Sequence, residues 1–539
     1  MPTLEAQEQQ SQGQRVHQPE MILEELSSDS NAEGDKEDDE NWEDEQSSQS
    51  VDMSTTLSEY LIPSLFTTPP LTDPLMTETS IVQEETVEEV IPFLTATSGR
   101  FSARQDLSIS SPYNAFGIPF LSREKHIAFL HKCLEELPAA YIAADASRPW
   151  FFYWVLCALR TLGQDVSVYE SRLVSSVRSA QNLTGGFAGG HGQMSHLAPS
   201  YAVILSLAIV GGKEAMECVD RKAMWHWLGQ IKSSDGGFAM SIGGEEDVRY
   251  TRPPWSSSSY FILGTREDVL TSSNRGAYCA TVILCLLDLP LELPPDSPFK
   301  SRQGSRDTDT LLTGLAEYVG RCQTFEGGIS GCPDAEAHGA YAFCALGCLS
   351  ILGSPHEIIP KYLDIPLLVS WLSARQHAPE GGFAGRSNKL VDGCYSHWVG
   401  GCWPLIEAVL DRPASSTVID PDTERTTTEH WDPSLYSREG LIRYSDAYHT
   451  CYVLSGLSAA QNAWSYMASN DSYEAAGAGN NLTAPCHWVP TQNPRYEDSE
   501  SGTQVFDEID RVCTVHPVFV VPEGTAEKMR GYYLAKEGF

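Results

Sequence analysis

Nowhere in the 539 residues is there a run of about 18 apolar residues, so the sequence offers no transmembrane helix and no stable membrane insertion is expected. The opening "MPTLEAQEQQ" lacks the charged and apolar regions of a signal peptide. Positive charge is scarce, with 36 Lys and Arg against 72 Asp and Glu. The imbalance is steepest in the first hundred residues, which hold 23 acids and 3 bases, including "EGDKEDDENWEDE". That acidity excludes nucleic acid or an anionic membrane as the partner of this segment. Its acids are separated by Ser, Gln and Thr, so it cannot bury enough apolar surface to offset its ordering entropy. Residues 1–110 read as a disordered acidic tail. A disulfide framework is also lacking. The fourteen cysteines are scattered through apolar runs such as "YAFCALGCLSIL" (341–352), as expected of reduced thiols packed as small hydrophobes. These features describe a soluble, cytoplasmic protein.

What the chain does have, from about residue 119 onward, is helical periodicity and a returning glycine pair. "REKHIAFLHKCLEELPAAY" and "RPWFFYWVLCALRTLG" place apolar residues three and four apart. The pair occurs in "QNLTGGFAGG", "SSDGGFAMSIGG", "QTFEGGISG" and "HAPEGGFAG", at spacings in the fifties where nothing intervenes. Each copy follows one helix-like run and precedes another rich in Ala, Cys, Tyr and Leu. Such self-similarity predicts stacked helical hairpins, near 175–212, 222–289, 313–352, 366–410 and 437–462, within a domain over 111–539. The Gly-Gly pair supplies a positive φ and a close backbone approach. An open solenoid and a closed (α/α) barrel both fit the period. Closure would gather the starts of the inner helices at one end of a cavity.

Chemistry-bearing residues stand at those starts, in "EAHGAY" (336–341), "VDGCYSHW" (391–398) and "SDAYHTCY" (445–452). Asp392 and Cys394, two apart, would face different sides of a straight helix. An N-cap position for Asp392, with Cys394 in the first turn, lets both reach one ion. His449, at the matching place of another inner helix, is the candidate third ligand. Asp, Cys and His with one position open make a catalytic zinc set; a capped helix with a core cysteine is the plain alternative. Arg275, His338, Arg386 and Lys389 also lie at or before helix starts, beside Tyr278, Tyr341, Tyr395 and Trp398. Cations added to free helix N–H groups suggest a phosphate site, and the aromatics an apolar wall beside it.

At these residues the chain resembles the β subunits of protein farnesyltransferases, from about Arg123 to the C-terminus. The resemblance rests on "DASRPWFFYW", "AHGAY-FC", "GRSNKLVDGCYS-W" and "YHTCYVLSGLS". It implies an all-α fold, an α/α barrel (toroid) of prenyltransferase hairpins, cupped by a separate α subunit in an obligate heterodimer. It implies one zinc ion on Asp392, Cys394 and His449. Farnesyl diphosphate is expected on His338, Gly339, Ala340, Tyr341, Arg386, Ser387, Asn388, Lys389, Tyr395, Ser396, His397, Trp398, Arg275 and Tyr278. Trp150, Trp154, Tyr448 and Tyr452 are expected to set the preference for isoprenoid and for the C-terminal CaaX sequence of the protein substrate. The implied reaction is farnesyl transfer from the diphosphate to the CaaX cysteine thiol. The type I geranylgeranyltransferase β subunit is the alternative, and the tryptophan at Trp150 favours the shorter lipid.

Two places depart from the family pattern. Residues 250–274 interrupt the path from "GEEDVR" to "RGAYCA", which leaves Arg249 as a rival to Arg275 for the diphosphate. Before Tyr448 a Gly-Gly turn is missing, with the aspartate that in the family helps hold magnesium, so magnesium dependence is expected to be weak. A terpene cyclase would need an Asp-rich acid motif, which the barrel region lacks. A non-catalytic helical-repeat scaffold would have no reason to collect Asp, Cys and His at inner helix starts.

Overall fold

The computed structural model describes residues 120–243 apart from 136 and 138, 273–410 apart from 303 and 378–380, 447–467, 481–491, 508–536, 539, and a short piece at 76–78, 80–85 and 88. The expected acidic tail (beyond that short piece), nearly all of the 250–274 interruption with Arg249, and the segment before Ala447 lie outside the described residues.

In chain order the helices are α1 (Arg123–Cys133), α2 (Arg148–Thr161), α3 (Glu170–Arg178), α4 (Leu197–Val210), α5 (Lys213–Glu217), α6 (Arg221–Ile231) and α7 (Asn274–Leu286). They continue as α8 (Leu315–Arg321), α9 (Gly339–Leu352), α10 (Pro355–Tyr362), α11 (Ile365–Ser373), α12 (Tyr395–Trp398), α13 (Cys402–Leu410), α14 (Ala447–Gln461) and α15 (Thr525–Leu534). A two-stranded antiparallel ribbon, β1 (Ala463–Tyr466) with β2 (Trp488–Thr491), follows α14 and was not foreseen from the sequence.

Helix α2 packs on α4, α4 on α7, α7 on α9, α9 on the broken pair α12 and α13, and α12 on α14; α14 then returns to α2. The ring is closed, which decides the question the period left open. These inner helices are apolar all round, and every residue of α4 is buried. The outer helices are one-sided: α3 buries only Leu173, Val174 and Val177. An apolar surface on every side fits a helix enclosed by neighbours, and a single apolar stripe fits an outer layer.

Each Gly-Gly turn is a small antiparallel bridge, with Gln181 facing Phe187, Lys232 Phe238, Gln323 Ile329 and Gln376 Phe383. Gly185 has φ +91° and Gly327 φ +97°. A Cβ there would stand 2.0 Å from the Ala223 carbonyl oxygen and 2.3 Å from that of Leu367. The turns therefore press directly on the next outer helix, which only glycine permits. Gln181 adds a reciprocal clasp: its amide donates to the Asp220 carbonyl (3.1 Å) and accepts from the Asp220 N–H (2.9 Å). Gln323 repeats it with Asp364 at 2.9 and 2.7 Å.

The chain after the ribbon fills the end of the ring where the inner helices finish. Cys513 N–H donates to the Thr161 carbonyl. The Tyr153 hydroxyl reaches the Val520 carbonyl (2.8 Å), and the Tyr278 hydroxyl that of Val518 (2.6 Å). The opposite end, where the inner helices begin, remains for the site.

Candidate active site

The starts of the inner helices share one construction. His196, Ser273 and His338 cap α4, α7 and α9, each side chain accepting from the N–H two residues on. An acceptor at this position satisfies a backbone donor that has no intrahelical partner. At the fourth start the helix is cut short. Asp392 Oδ1 accepts from the Cys394 N–H at 2.8 Å. Cys394, not Asp392, holds the cap of the one-turn α12, which ends before Gly400 and Gly401. The expected division of cap and first turn is thus displaced by two residues, and both side chains still face one point.

His449, from α14, completes that point. Its Nε2 lies 3.0 Å from Asp392 Oδ1. Donor atoms of Asp392, Cys394 and His449 all fall within 4.8 Å of one another. Burial raises the Asp392 carboxyl pKa. The His449 hydrogen bond and charge, with the Cys394 N–H, outweigh that and hold it at about 2. Asp392 is therefore an anion at neutral pH, and Cys394 is fully enclosed. Carboxylate, thiol and imidazole converging this closely fit a zinc ion with one position left open.

Beside this set lies the cationic group. His338 Nδ1 accepts from Ala340 N–H (3.1 Å), so its proton sits on Nε2, which meets the Tyr395 hydroxyl at 3.0 Å. Gly339 and Gly385 permit this meeting: a Cβ on Gly385 would stand 2.0 Å from the Tyr395 ring, and Gly339 N–H donates to the Gly385 carbonyl at 2.8 Å. The Arg275 guanidinium lies over the Tyr341 ring, 5.6 Å from its centre. Arg386 is paired with Glu336 at 3.0 Å. Asn388, in the left-handed region, and Lys389 are exposed. Ser387 turns its hydroxyl to Arg375 (3.0 Å) and Glu326 (3.2 Å), anchoring the segment instead of facing the cations. Ser396 likewise ties the α12 turn to itself, donating to the Gly393 carbonyl at 2.6 Å.

The interior wall is a circle of aromatic rings. Trp150 stands 5.8 Å from Tyr201, Tyr201 5.6 Å from Tyr278, Tyr278 5.9 Å from Phe343, and Phe343 5.7 Å from Trp398. From there the circle passes through Tyr452 (4.5 Å) and Tyr448 (4.9 Å) to Trp154 (5.2 Å), which stacks on Trp150 at 5.6 Å. Trp398 Nε1 donates to the Tyr448 hydroxyl. His397 lies inside the wall, stacked on Tyr452, and its burial lowers its pKa to about 3, so it is a neutral packing group. Tyr201 and Phe343 were missed in the sequence. Register marks them: each stands five residues after its helix cap, as Tyr278 does after Ser273.

Comparison with known proteins accords with this geometry. The prenyltransferase alpha-alpha toroid domain family matches residues 121–521. The protein farnesyltransferase β subunit of Pyricularia oryzae is 49% identical over 501 residues, covering 89% of this chain and 85% of that one. The chain belongs to the protein farnesyltransferase β-subunit family. The family's Schizosaccharomyces pombe member is 30% identical, over 86% of this chain and 98% of its own. The geranylgeranyl transferase type-1 β subunit of Arabidopsis thaliana is more distant, at 25% identity over 54% of this chain. Among the described residues no helix is long and apolar enough to cross a membrane.

Proposed function

We propose that this chain is the catalytic β subunit of a heterodimeric, zinc-dependent protein farnesyltransferase of the cytoplasm. In this reading it transfers farnesyl from farnesyl diphosphate to the cysteine thiol of proteins ending in a CaaX sequence. The observation that carries the reading is the meeting of Asp392, Cys394 and His449 at the mouth of an aromatic-lined ring, beside a cluster of cations.

A zinc ion on that set would supply an open position at which a substrate thiol is held deprotonated near neutral pH, where a free thiol is mostly protonated. Asp392, held below the usual carboxylate range by His449 and the Cys394 N–H, would supply the anionic ligand of that set. The Tyr395 hydroxyl accepts the His338 Nε2 proton and is left with its own proton to give to a diphosphate oxygen. In this reading Arg275, Arg386 and Lys389 would stabilise the charge that builds on the departing diphosphate as its bond to the farnesyl carbon breaks and the carbon–sulfur bond forms. The aromatic circle holds the isoprenoid chain by apolar contact and keeps water from the reacting carbon. Leu183 and Phe325, at matching positions of the first and third turns, are fully or almost fully exposed, which supports an α subunit covering this edge.

The test is co-expression with an α subunit, followed by metal analysis and transfer of farnesyl and geranylgeranyl to CaaX peptides. We expect about one zinc per chain and faster transfer from the farnesyl donor. Cys394→Ala should lose most of the zinc and at least about 100-fold in turnover. Full activity in a zinc-free heterodimer would overturn the proposal.

A further inference from the structure

Arg386 is held for one purpose and occupied by another partner. Its segment is pinned on both sides: Gly385 accepts from Gly339 N–H, and Ser387 is fixed between Arg375 and Glu326. Its guanidinium is largely enclosed, with 16% of the side chain exposed, and it faces the carboxylate of Glu336 at 3.0 Å. Glu336 is a different kind of residue. It is 59% exposed and stands two positions before the His338 cap. The backbone beside it is fixed, because Ala337 is bridged to Ser330. The exposed Glu336 side chain, on a backbone held beside it, has open space to swing into.

A carboxylate at the edge of an anion site conflicts with the anion. An enclosed guanidinium is stabilised by each counter-charge it holds, so an empty site benefits from a carboxylate that can later give way. We infer that Glu336 is that partner: a positioning residue that holds Arg386 in the empty enzyme and gives it up to the diphosphate of the arriving donor. After transfer, Glu336 competes with the product diphosphate for Arg386 and favours its departure. The same residue thus keeps the cation in place and sets how tightly diphosphates are held. This rests on the diphosphate assignment proposed above.

The experiment uses the zinc-loaded heterodimer and titrates farnesyl diphosphate, and separately inorganic pyrophosphate, into the parent, Glu336→Gln and Glu336→Asp proteins. Removing one negative charge from beside the Arg386 guanidinium, in a partly solvated site, should tighten both ligands about 3- to 10-fold in Glu336→Gln. The gain should shrink as salt is raised, and Glu336→Asp should stay near the parent. In an Arg386→Gln background the Glu336→Gln change should have less than about a 2-fold effect, because the two residues act as a pair. Weaker or unchanged diphosphate binding in Glu336→Gln, with the parent binding normally, overturns the inference alone. Failure of the parent to bind either diphosphate refutes the site assignment and the inference together.

Discussion

Lys232 offers a quantitative test of the repeat. The residue that opens the turn is glutamine at 181, 323 and 376, and lysine only at 232. Gln376 donates its amide to the Gly381 carbonyl at 2.7 Å, and Lys232 donates its ammonium to the corresponding carbonyl of Gly236. The lysine is buried, with the Phe238 ring 4.7 Å and the Phe299 ring 5.3 Å from Nζ. Burial lowers its pKa from 10.5 to about 7, against the opposing pull of Asp235. In the unfolded chain the amine titrates near 10.5. Between about pH 7 and 10.5 the unfolded state binds more protons, so stability rises with pH across that window. Below pH 7 both states are charged and the penalty is complete, about 5 kcal/mol at 1.36 kcal/mol per pKa unit. It falls to about 3 kcal/mol at pH 8 and below about 1 kcal/mol at pH 10. Lys232→Gln removes the charge and keeps the donor, giving up cation–π contacts worth about 1–2 kcal/mol. The variant should therefore gain about 2–3 kcal/mol at pH 7, equivalent to a thermal midpoint about 3 °C higher for a ring of this size. The gain should vanish by pH 10. The assay is thermal unfolding of the heterodimer from pH 6 to 10, parent against variant. A difference that stays constant across that range, or a parent more stable at pH 7, would refute the reasoning.

Two further outcomes can be checked. Trp150→Thr opens the aromatic circle between Trp154 and Tyr201 and should move donor preference toward the twenty-carbon diphosphate by at least about 10-fold, on the scale of the apolar contact removed; competing the two donors in one reaction reads this directly, and an unchanged preference counts against the wall. On α6, against the first turn, Trp227 Nε1 is buried without a hydrogen-bond partner, whereas its counterpart Trp371 donates to Glu326 at 3.3 Å. Thr184 stands where Glu326 does, beside a cavity of about 320 Å³ that it lines with Asn182, Ser195 and Trp227. Thr184→Glu should supply the acceptor and stabilise by about 1 kcal/mol, seen as a higher unfolding midpoint; no gain would mean that the indole is satisfied by water.

The hairpins were legible because Gly-Gly has a local cause, a positive φ pressed against a neighbouring backbone at Gly185 and Gly327. Closure was not, since the contact of α14 with α2 joins segments some three hundred residues apart and no period encodes it. Asp392, Cys394 and His449 were found through residue type at helix starts. The local geometry was read two residues off, because α12 is a single turn that begins at Tyr395 and has its cap at Cys394. Tyr201 and Phe343 were hidden among many apolar residues of buried helices, where no alternation separates the side that lines the cavity from the side that packs. Glu336 was passed over because its partner is fifty residues away and a lone exposed glutamate carries no signal.

The seam between α14 and α2 also has a consequence for how the protein comes into being. His449 is carried by the final arc of the circle, while Asp392 and Cys394 belong to the arc before it. A nascent chain released or cleaved ahead of residue 447 would be an incomplete crescent, its aromatic lining facing water and its ligand set one short. An ion seated on all three side chains would act as a rivet across the last joint, so metal supply during synthesis should govern how much of the chain escapes aggregation.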